Sequence, residues 1–456
     1  MIMSYTRVNW QNAPSTATPV NAENLNTMDK GIADAHSQLA EITKQVINER
    51  IFVTPPNEFG WDIPIKIIVD SQGNFKSNTD ISTFKHVGAG KTYFVNSATG
   101  NDSNDGLTPT TALARIGTAV AKADADIVMV AEGEYERGNA MNGQNITKNI
   151  SIIAMPGAKV RVTTHSTLSW TLTEGTANVY QATRSSVNNV CDALIVDGKG
   201  DFYQHTLVAD IATCDSTPGS WYTDGSTVYV HTLNNRAVDN NIKAYLNVYN
   251  MRTTVSGNIL YLEGIDLEGG GSGCVTGALG TKVYAKNCTF KYAGGNGGVQ
   301  VGGAEFAFFQ NCVAARNLAD GFSYHSSGEN ICKSIEINCV GRHNGDGSGA
   351  THNGSTLHDG CIGIRINGEY YGNYGPNIAD VNPDTKSWNL RCEAYDSVLK
   401  DNFQIYEGTA WYEECLGYNP AETTHSLSVT GQATAYIRNC RFDSTTVGGG
   451  STLNSY

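Results

Sequence analysis

The most regular run of apolar positions lies near the N-terminus, where Leu25, Met28, Ile32, Ala35, Leu39, Ile42 and Val46 follow at spacings of 3, 4, 3, 4, 3 and 4. That is the a/d seam of a heptad repeat on a helix, with Asn21 or Asn24 placed to cap its start. An amphipathic helix packed on its own domain is the alternative, but so narrow a stripe favours a parallel coiled coil between copies of the chain. Ala35 and Met28 in the seam leave dimer and trimer open. This first region ends near residue 50. Residues 51–91 contain VTPPNEFGWDIPIKIIVDSQGNF, which reads as a Pro-Pro break, an apolar strand and an Asp-Ser-Gln-Gly turn, hence a small β connector.

The remainder opens with TYFVNSATGNDSNDGLTPTTALARIGTAVAKADADIVMVAEGEYER (residues 92–137), a strand, an acidic turn, a helix over about 112–123 and a second strand. The helix follows Pro109 and carries Leu113, Ile116 and Val120. Further on, six cysteines sit in similar frames: KNCTF at Cys288, QNCVA at Cys312, INCVG at Cys339, LRCEA at Cys392, EECLG at Cys415 and RNCRF at Cys440. Their gaps are 24, 27, 53, 23 and 25, and the gap of 53 divides into 29 and 24 at Gly368, which stands where cysteine is expected. A repeat of this length predicts one coil of a solenoid per frame, with the cysteines as a buried stack of small hydrophobes. Asparagine precedes that point at Asn287, Asn311, Asn338, Asn367 and Asn439, while Arg391 and Glu414 interrupt the row. A second row, Asn296, Asp320, Asp346, Asn377 and Asp401, is turn chemistry. The alternation of apolar residues shifts by one near Ile335 and Ile337, which leaves the strand register there open. Around 160–247 the coil pattern gives way to hairpins such as STPGSWYTDGSTVYVHTLNNR (residues 216–236).

Three stretches resemble known families. WQNAPSTATPVNAENLNTMDKGI (residues 10–32) resembles the N-terminal segment of tail and baseplate-attached proteins of phages that infect Gram-positive bacteria. Residues 92–137 resemble the opening of right-handed parallel β-helix proteins of the pectin-lyase-like class, whose helix caps the solenoid. The asparagine row resembles the asparagine ladder of pectate-lyase-like β-helices. The resemblance implies an all-β chain, a right-handed parallel β-helix over 92–456 with a hairpin-type insertion, preceded by an N-terminal helical coiled coil over 1–50 and the connector. It further implies a phage tail-spike or receptor-binding protein: a homotrimer joined to the tail or baseplate by its N-terminus, a virion component assembled in the host cytoplasm. Its partner would be a cell-surface polysaccharide.

Composition narrows the partners. The net charge of −13 disfavours nucleic-acid phosphates and anionic membranes, and no apolar run approaches the ~20 residues of a membrane span. The opening MIMSYTRVNW has no apolar core of a secretory signal, and eleven cysteines without a CxxC pair suit synthesis in a reducing cytoplasm. No cofactor is expected, although the turn at 101–106 has oxygens suited to a structural or catalytic Ca2+; a turn rich in Asx residues is the favoured reading.

Aligning the coils brings four polar loops into one wall. Its catalytic candidates are Glu329, His352, His358 and Asp359, the last three from the stretch HNGSTLHDG. The substrate-binding candidates are His325, Arg365, Glu369, Asp380, Asp384, Glu407 and Trp411, with Tyr370, Tyr371 and Tyr374 as further stacking surfaces. Paired carboxylates suit glycoside hydrolysis, and a base beside acids holding a cation suits a lyase. A metal at His352, His358 and Asp359 is not expected, since the spacing matches no ligand signature. The chain therefore reads as a polysaccharide depolymerase, hydrolase or lyase, or as a non-catalytic adhesin or structural tail protein.

Overall fold

The computed structural model describes residues 22–456 except 71, 137–143, 272 and 349–350, and no side chains at 22–24, 40–51 and 144. The phage-like stretch before residue 22 and the seam positions Ile42 and Val46 lie outside that description. The chain divides into two compact units, one reaching to Asn57 and including Asp62–Thr79, the other comprising Glu58–Trp61 and Asp80–Tyr456. In the first, one helix runs over Ala22–Ile51. Its seam residues Met28, Ile32 and Leu39 are 63%, 45% and 61% exposed in a single chain. The connector is an antiparallel pair, Ile67–Val69 against Phe75–Ser77, with Ile67 opposite Ser77. Asp70 shapes its turn by accepting the amides of Gln72 and Asn74, both at 2.9 Å.

The second unit is a right-handed parallel β-helix with three parallel sheets. A long sheet of twelve strands runs from Lys91–Val95 to Thr452–Ser455, a second of ten from Gly133–Glu136 to Arg441–Phe442, and a third of ten from Gln144–Ile146 to Thr445–Val447. One coil, for example, is Lys333–Ile337, Val340–Arg342 and Ser355–His358. At the corner between the long and second sheets stand Asn287, Asn311, Asn338 and Asn367, all with φ between 51° and 54°. Asparagine tolerates this left-handed backbone better than other side chains. Each amide donates to the Asn Oδ1 of the coil before, at 3.0, 3.0 and 3.1 Å. Arg391 and Glu414 take the next two places with the same backbone and close the gap with an ion pair at 2.6 Å. Just inside this corner Cys288, Cys312, Cys339, Cys392 and Cys415 are buried as free thiols, as the repeat predicted, while Cys440 of the sixth frame is only partly buried.

The register near Ile335 does not slip. Leu262, Ala285, Phe309, Glu336, Arg365, Asn389 and Tyr412 are paired in turn along the long sheet, one row facing the lumen. Apolar residues fill the row up to Phe309, and then charge enters the core. Arg365 grips Asp380 through both Nη atoms at 2.8 and 3.1 Å, and its Nε donates to Ser355 at 2.8 Å. Glu336 accepts from Ser355 at 2.6 Å and Tyr370 at 2.7 Å. Burial pushes the Glu336 carboxyl up, against the pull of Arg365. A charged residue pointing inward is what makes the sequence pattern look shifted. Outside the same sheet, Ile335, Ile364, Trp388 and Trp411 form a row, with Phe59 set edge-on to Trp388 and Trp411 at 6.1 and 5.9 Å.

Between the second and third sheets, residues 164–250 leave the solenoid and return, carrying strands from Thr171–Leu172 to Ile242–Leu246 that pair antiparallel except for Thr206–Leu207 on Ser220–Thr223. The insertion lies back along the outer face of the second sheet. Phe202 stacks on Tyr292 at 5.4 Å, and Asn189 donates to the Tyr292 carbonyl at 2.9 Å. Asp201, buried, receives Lys291 at 2.8 Å and both Nη atoms of Arg342.

Candidate functional site

The predicted wall separates into five places. His325, Glu329, His358, Asp359, Asp384 and Glu407 do gather where the third sheet turns into the long one. There His325 and His358 lie parallel, 4.4 Å apart at 3°. His325 Nδ1 is 3.1 Å from Asp359, and the two Nε2 atoms meet the hydroxyls of Ser323 at 3.2 Å and Thr356 at 3.0 Å. Burial, then the neighbouring His325, lowers His358 to about 4, so it is neutral at pH 7. Asp359, Asp384 and Glu407 have φ of 57°, 64° and 62°, the left-handed positions of successive turns. Glu329 stands exposed in the loop of the coil before.

The other candidates are elsewhere. His352 sits before the start of the strand Ser355–His358, at the opposite end from His358, and lies 3.7 Å from Asp346; that part of HNGSTLHDG is a strand of the third sheet and not a loop. The extra residues of that coil fall before it in sequence, between the strands ending at Arg342 and beginning at Ser355. Arg365 and Asp380 pair in the lumen, where neither can touch a surface ligand. Trp411 is 4% exposed, between Phe59 and a stacked Tyr436 at 5.5 Å, and Tyr370 is buried inside. Glu369 lies on the outer face of the second sheet. The Asn101–Gly106 turn uses its oxygens locally: Asp102 accepts the amides of Ala114 and Arg115 at 3.0 and 3.1 Å, and Asp105 accepts Thr111 Oγ1 at 2.6 Å.

The face around Glu369 carries an ordered row of side chains. Three residues after each cysteine point, the second sheet turns a side chain outward: Lys291, Ala315, Arg342, Tyr371, Tyr395 and Tyr418 in continuous register. The spacing of parallel strands, ~4.8 Å, equals a ring-stacking distance. Tyr371 and Tyr395 accordingly stack at 4.9 Å and 6°, Tyr395 and Tyr418 at 4.8 Å and 7°. Beside them two carboxylates of adjacent coils, Glu369 and Glu393, stand in register between Val340 and Leu416. Tyr395 donates to Glu369 at 2.5 Å, and burial together with that carboxylate raises the phenol. Lys199 of the insertion sits 5.9 Å over Tyr371. Sequence reading named Tyr371 but missed Tyr395 and Tyr418. The signal was the tyrosine three places after Gly368, Cys392 and Cys415.

The tyrosine row ends at a cleft of about 600 Å³ between the insertion and the solenoid. Gln204, Leu207 and Trp221 line one side, Arg316, His343, Tyr374 and Val398 the other. His343 stands edge-on to Tyr371 at 5.3 Å. Burial, then Arg316 and Arg342, lowers it to about 4. Among the described residues one trio of metal-ligand types converges, Glu134, Glu136 and His165. Arg161 and Lys243 already reach Glu134 at 2.9 and 3.0 Å, so the positive charge a metal would bring is supplied.

No family model and no curated protein matches the chain. Among solved structures it is similar to a protein named XylC solved with xylose, at 14% identity over 77% of this chain and 70% of that one, TM-score 0.43. It is similar to a pectate lyase at 11% identity over 81% and 82%, TM-score 0.38. It is also similar to a tailspike of Acinetobacter baumannii bacteriophage AP22 solved with a capsular saccharide, at 9% identity over 72% and 67%, TM-score 0.27. No residue role is carried over from these proteins.

Proposed function

We propose that this chain is a phage tail-spike or receptor-binding protein that holds a cell-surface polysaccharide along the outer face of the second sheet. The observation that carries the reading is the row Tyr371, Tyr395 and Tyr418, stacked at 4.9 and 4.8 Å, with Glu369 engaging one phenol from the next row. Half-buried Tyr395 and Tyr418, their rings stacked on one another, present ring edges and hydroxyls beside carboxylates, groups that suit the hydroxyls of a sugar. Binding is favoured over cleavage, because His352 stands apart from Glu329, His358 and Asp359 and the nitrogens of His325 are taken by neighbouring side chains. The N-terminal helix, with Met28, Ile32 and Leu39 exposed in one chain, supports assembly into a homotrimer carried on the virion tail.

The test is retention of the full-length protein on a panel of purified bacterial capsular and wall polysaccharides, with polymer length followed by size-exclusion chromatography. Retention that falls at least about tenfold in Tyr395→Ala, with polymer length constant, is the expected result. Retention unchanged in that variant overturns the site, and shortening of the polymer establishes a depolymerase instead. Light scattering that finds a monomer overturns the trimer.

A further inference from the structure

We infer that the cleft at the end of the tyrosine row is a branch-sugar pocket, taking an uncharged monosaccharide that presents a methyl group, of the 6-deoxy or N-acetyl kind. The inference rests on the glycan-binding reading of the adjoining face and gives it a specificity element.

Continuity is the first argument. Tyr371, the last residue of its strand, is followed by Gly372, which lines the cleft, and His343 joins cleft to row by its edge-on contact. A polymer lying on the tyrosines thus has one position from which a side group reaches inward. The volume of about 600 Å³ suits such a group, falling within the roughly 300–1,000 Å³ of small-molecule sites.

Charge is the second. Arg316, the cation of the lining, is already paired with Asp197 at 2.9 Å. The carboxylate of the lining, Asp346, is held below its ordinary range by hydrogen bonds from Ser348 that outweigh partial burial, so it is an anion at neutral pH. An acidic sugar would meet repulsion and find no free cation. The other polar side chains of the lining, among them Asn188, Asn189, Gln204, His205 and His343, carry no charge at neutral pH and suit hydroxyls.

The apolar side chains are the third. Leu207 on the insertion is 59% exposed and Val398 on the solenoid 42% exposed, and both line the cleft. Two exposed aliphatic side chains on a polar cleft provide a seat for a methyl group.

Saturation-transfer NMR on the full-length protein tests this with three probes: L-fucose, N-acetylglucosamine and D-glucuronate. The expected result is saturation of the methyl protons of the first two, at least about tenfold weaker transfer to glucuronate, and a drop of about tenfold in Leu207→Trp and in Val398→Trp. Both replacements sit at exposed positions and fill the cleft from separate elements, so if one fails to fold the other carries the test. Glucuronate saturating as strongly as the neutral sugars overturns the charge argument. Methyl saturation unchanged in both tryptophan variants overturns the pocket. Tyr395→Ala separates the two readings: it lowers polymer retention and leaves methyl saturation intact. Intact retention in that variant overturns the row while the cleft result stands.

Discussion

The β-helix carries two asparagine ladders that use the same amide chemistry in different surroundings. The outer ladder, Asn287 to Asn367, is at the surface, one rung per coil, each residue at positive φ. The inner ladder is buried in the turn between the second and third sheets: Asn317 donates to Asn344 at 2.9 Å, Asn344 to Asn373 at 2.9 Å, Asn373 to Asn377 at 2.7 Å, and Asn377 to Asn402 at 2.8 Å. Its first three members begin their turns, and Asn377 and Asn402 end theirs. The ladder therefore crosses the turn within a single coil, between Asn373 and Asn377. The outer residues are selected by backbone conformation, with hydrogen bonds that water can replace. The inner ones are selected because buried carbonyls need donors.

The largest expected difference between the ladders is at Asn344. Its Oδ1 accepts both the amide and Nδ2 of Asn317, and its Nδ2 donates to Asn373 and to the Ala314 carbonyl. Asn344→Ala strands several buried groups at about 1–3 kcal/mol each, so urea denaturation is expected to show a loss of about 3–5 kcal/mol. Asn344→Gly is expected to be no better, since φ is not the constraint there. A loss below about 1 kcal/mol would put the two ladders on a par.

Neither ladder titrates, so a pH term between pH 4 and 7 comes from other groups, buried imidazoles among them. Burial, then Arg236, lowers His205 to about 4 from an ordinary 6.5. The unfolded chain binds the proton first, so the stability His205 contributes is present above pH 6.5 and is lost as pH falls toward 4. Asp320 and Glu336, raised by burial, tilt the opposite way. Comparing wild type with His205→Gln isolates the histidine. The variant's stability is expected to fall less between pH 7 and 4.5, by on the order of 2–3 kcal/mol. Parallel pH profiles would show that His205 is not buried neutral.

At the outer ladder, Asn338→Ala is expected to cost about 1–2 kcal/mol, chiefly from positive φ, and Asn338→Gly to recover most of it. Failure of glycine to rescue would mean that the surface amide bonds, not the backbone, set the preference. The smallest effect is expected at the break. Replacing Arg391 and Glu414 together by asparagine would continue the ladder and remove a half-exposed ion pair worth about 0–1 kcal/mol, leaving the melting temperature nearly unchanged.

Legibility followed the same divide. The cysteine stack and the outer asparagines were readable because each falls at a fixed point of every coil. The inner ladder was not: its steps are 27, 29, 4 and 25 residues, and only Asn377 entered the predicted turn row. Of the candidate site, the loop corner was legible as an enrichment of polar residues. Arg365 and Asp380 were misplaced to the surface because charge is read as exposed, whereas here each neutralises the other in the lumen. Trp411 was misplaced because its cover, Phe59, lies more than three hundred residues away in sequence.

By itself, the sequence determined the coil length, the small residues stacked at one corner and the asparagines that turn it, because backbone geometry and local repeat demand those residue types. It also marked the insertion as foreign to the repeat. Only the tertiary structure decided where that insertion lies. Asp201 meets Lys291 and Arg342 across 90 and 141 residues of chain, and that contact holds the insertion against the second sheet. Tyr371, Tyr395 and Tyr418 become one surface only when the coils stack, since no local rule links residues more than twenty positions apart.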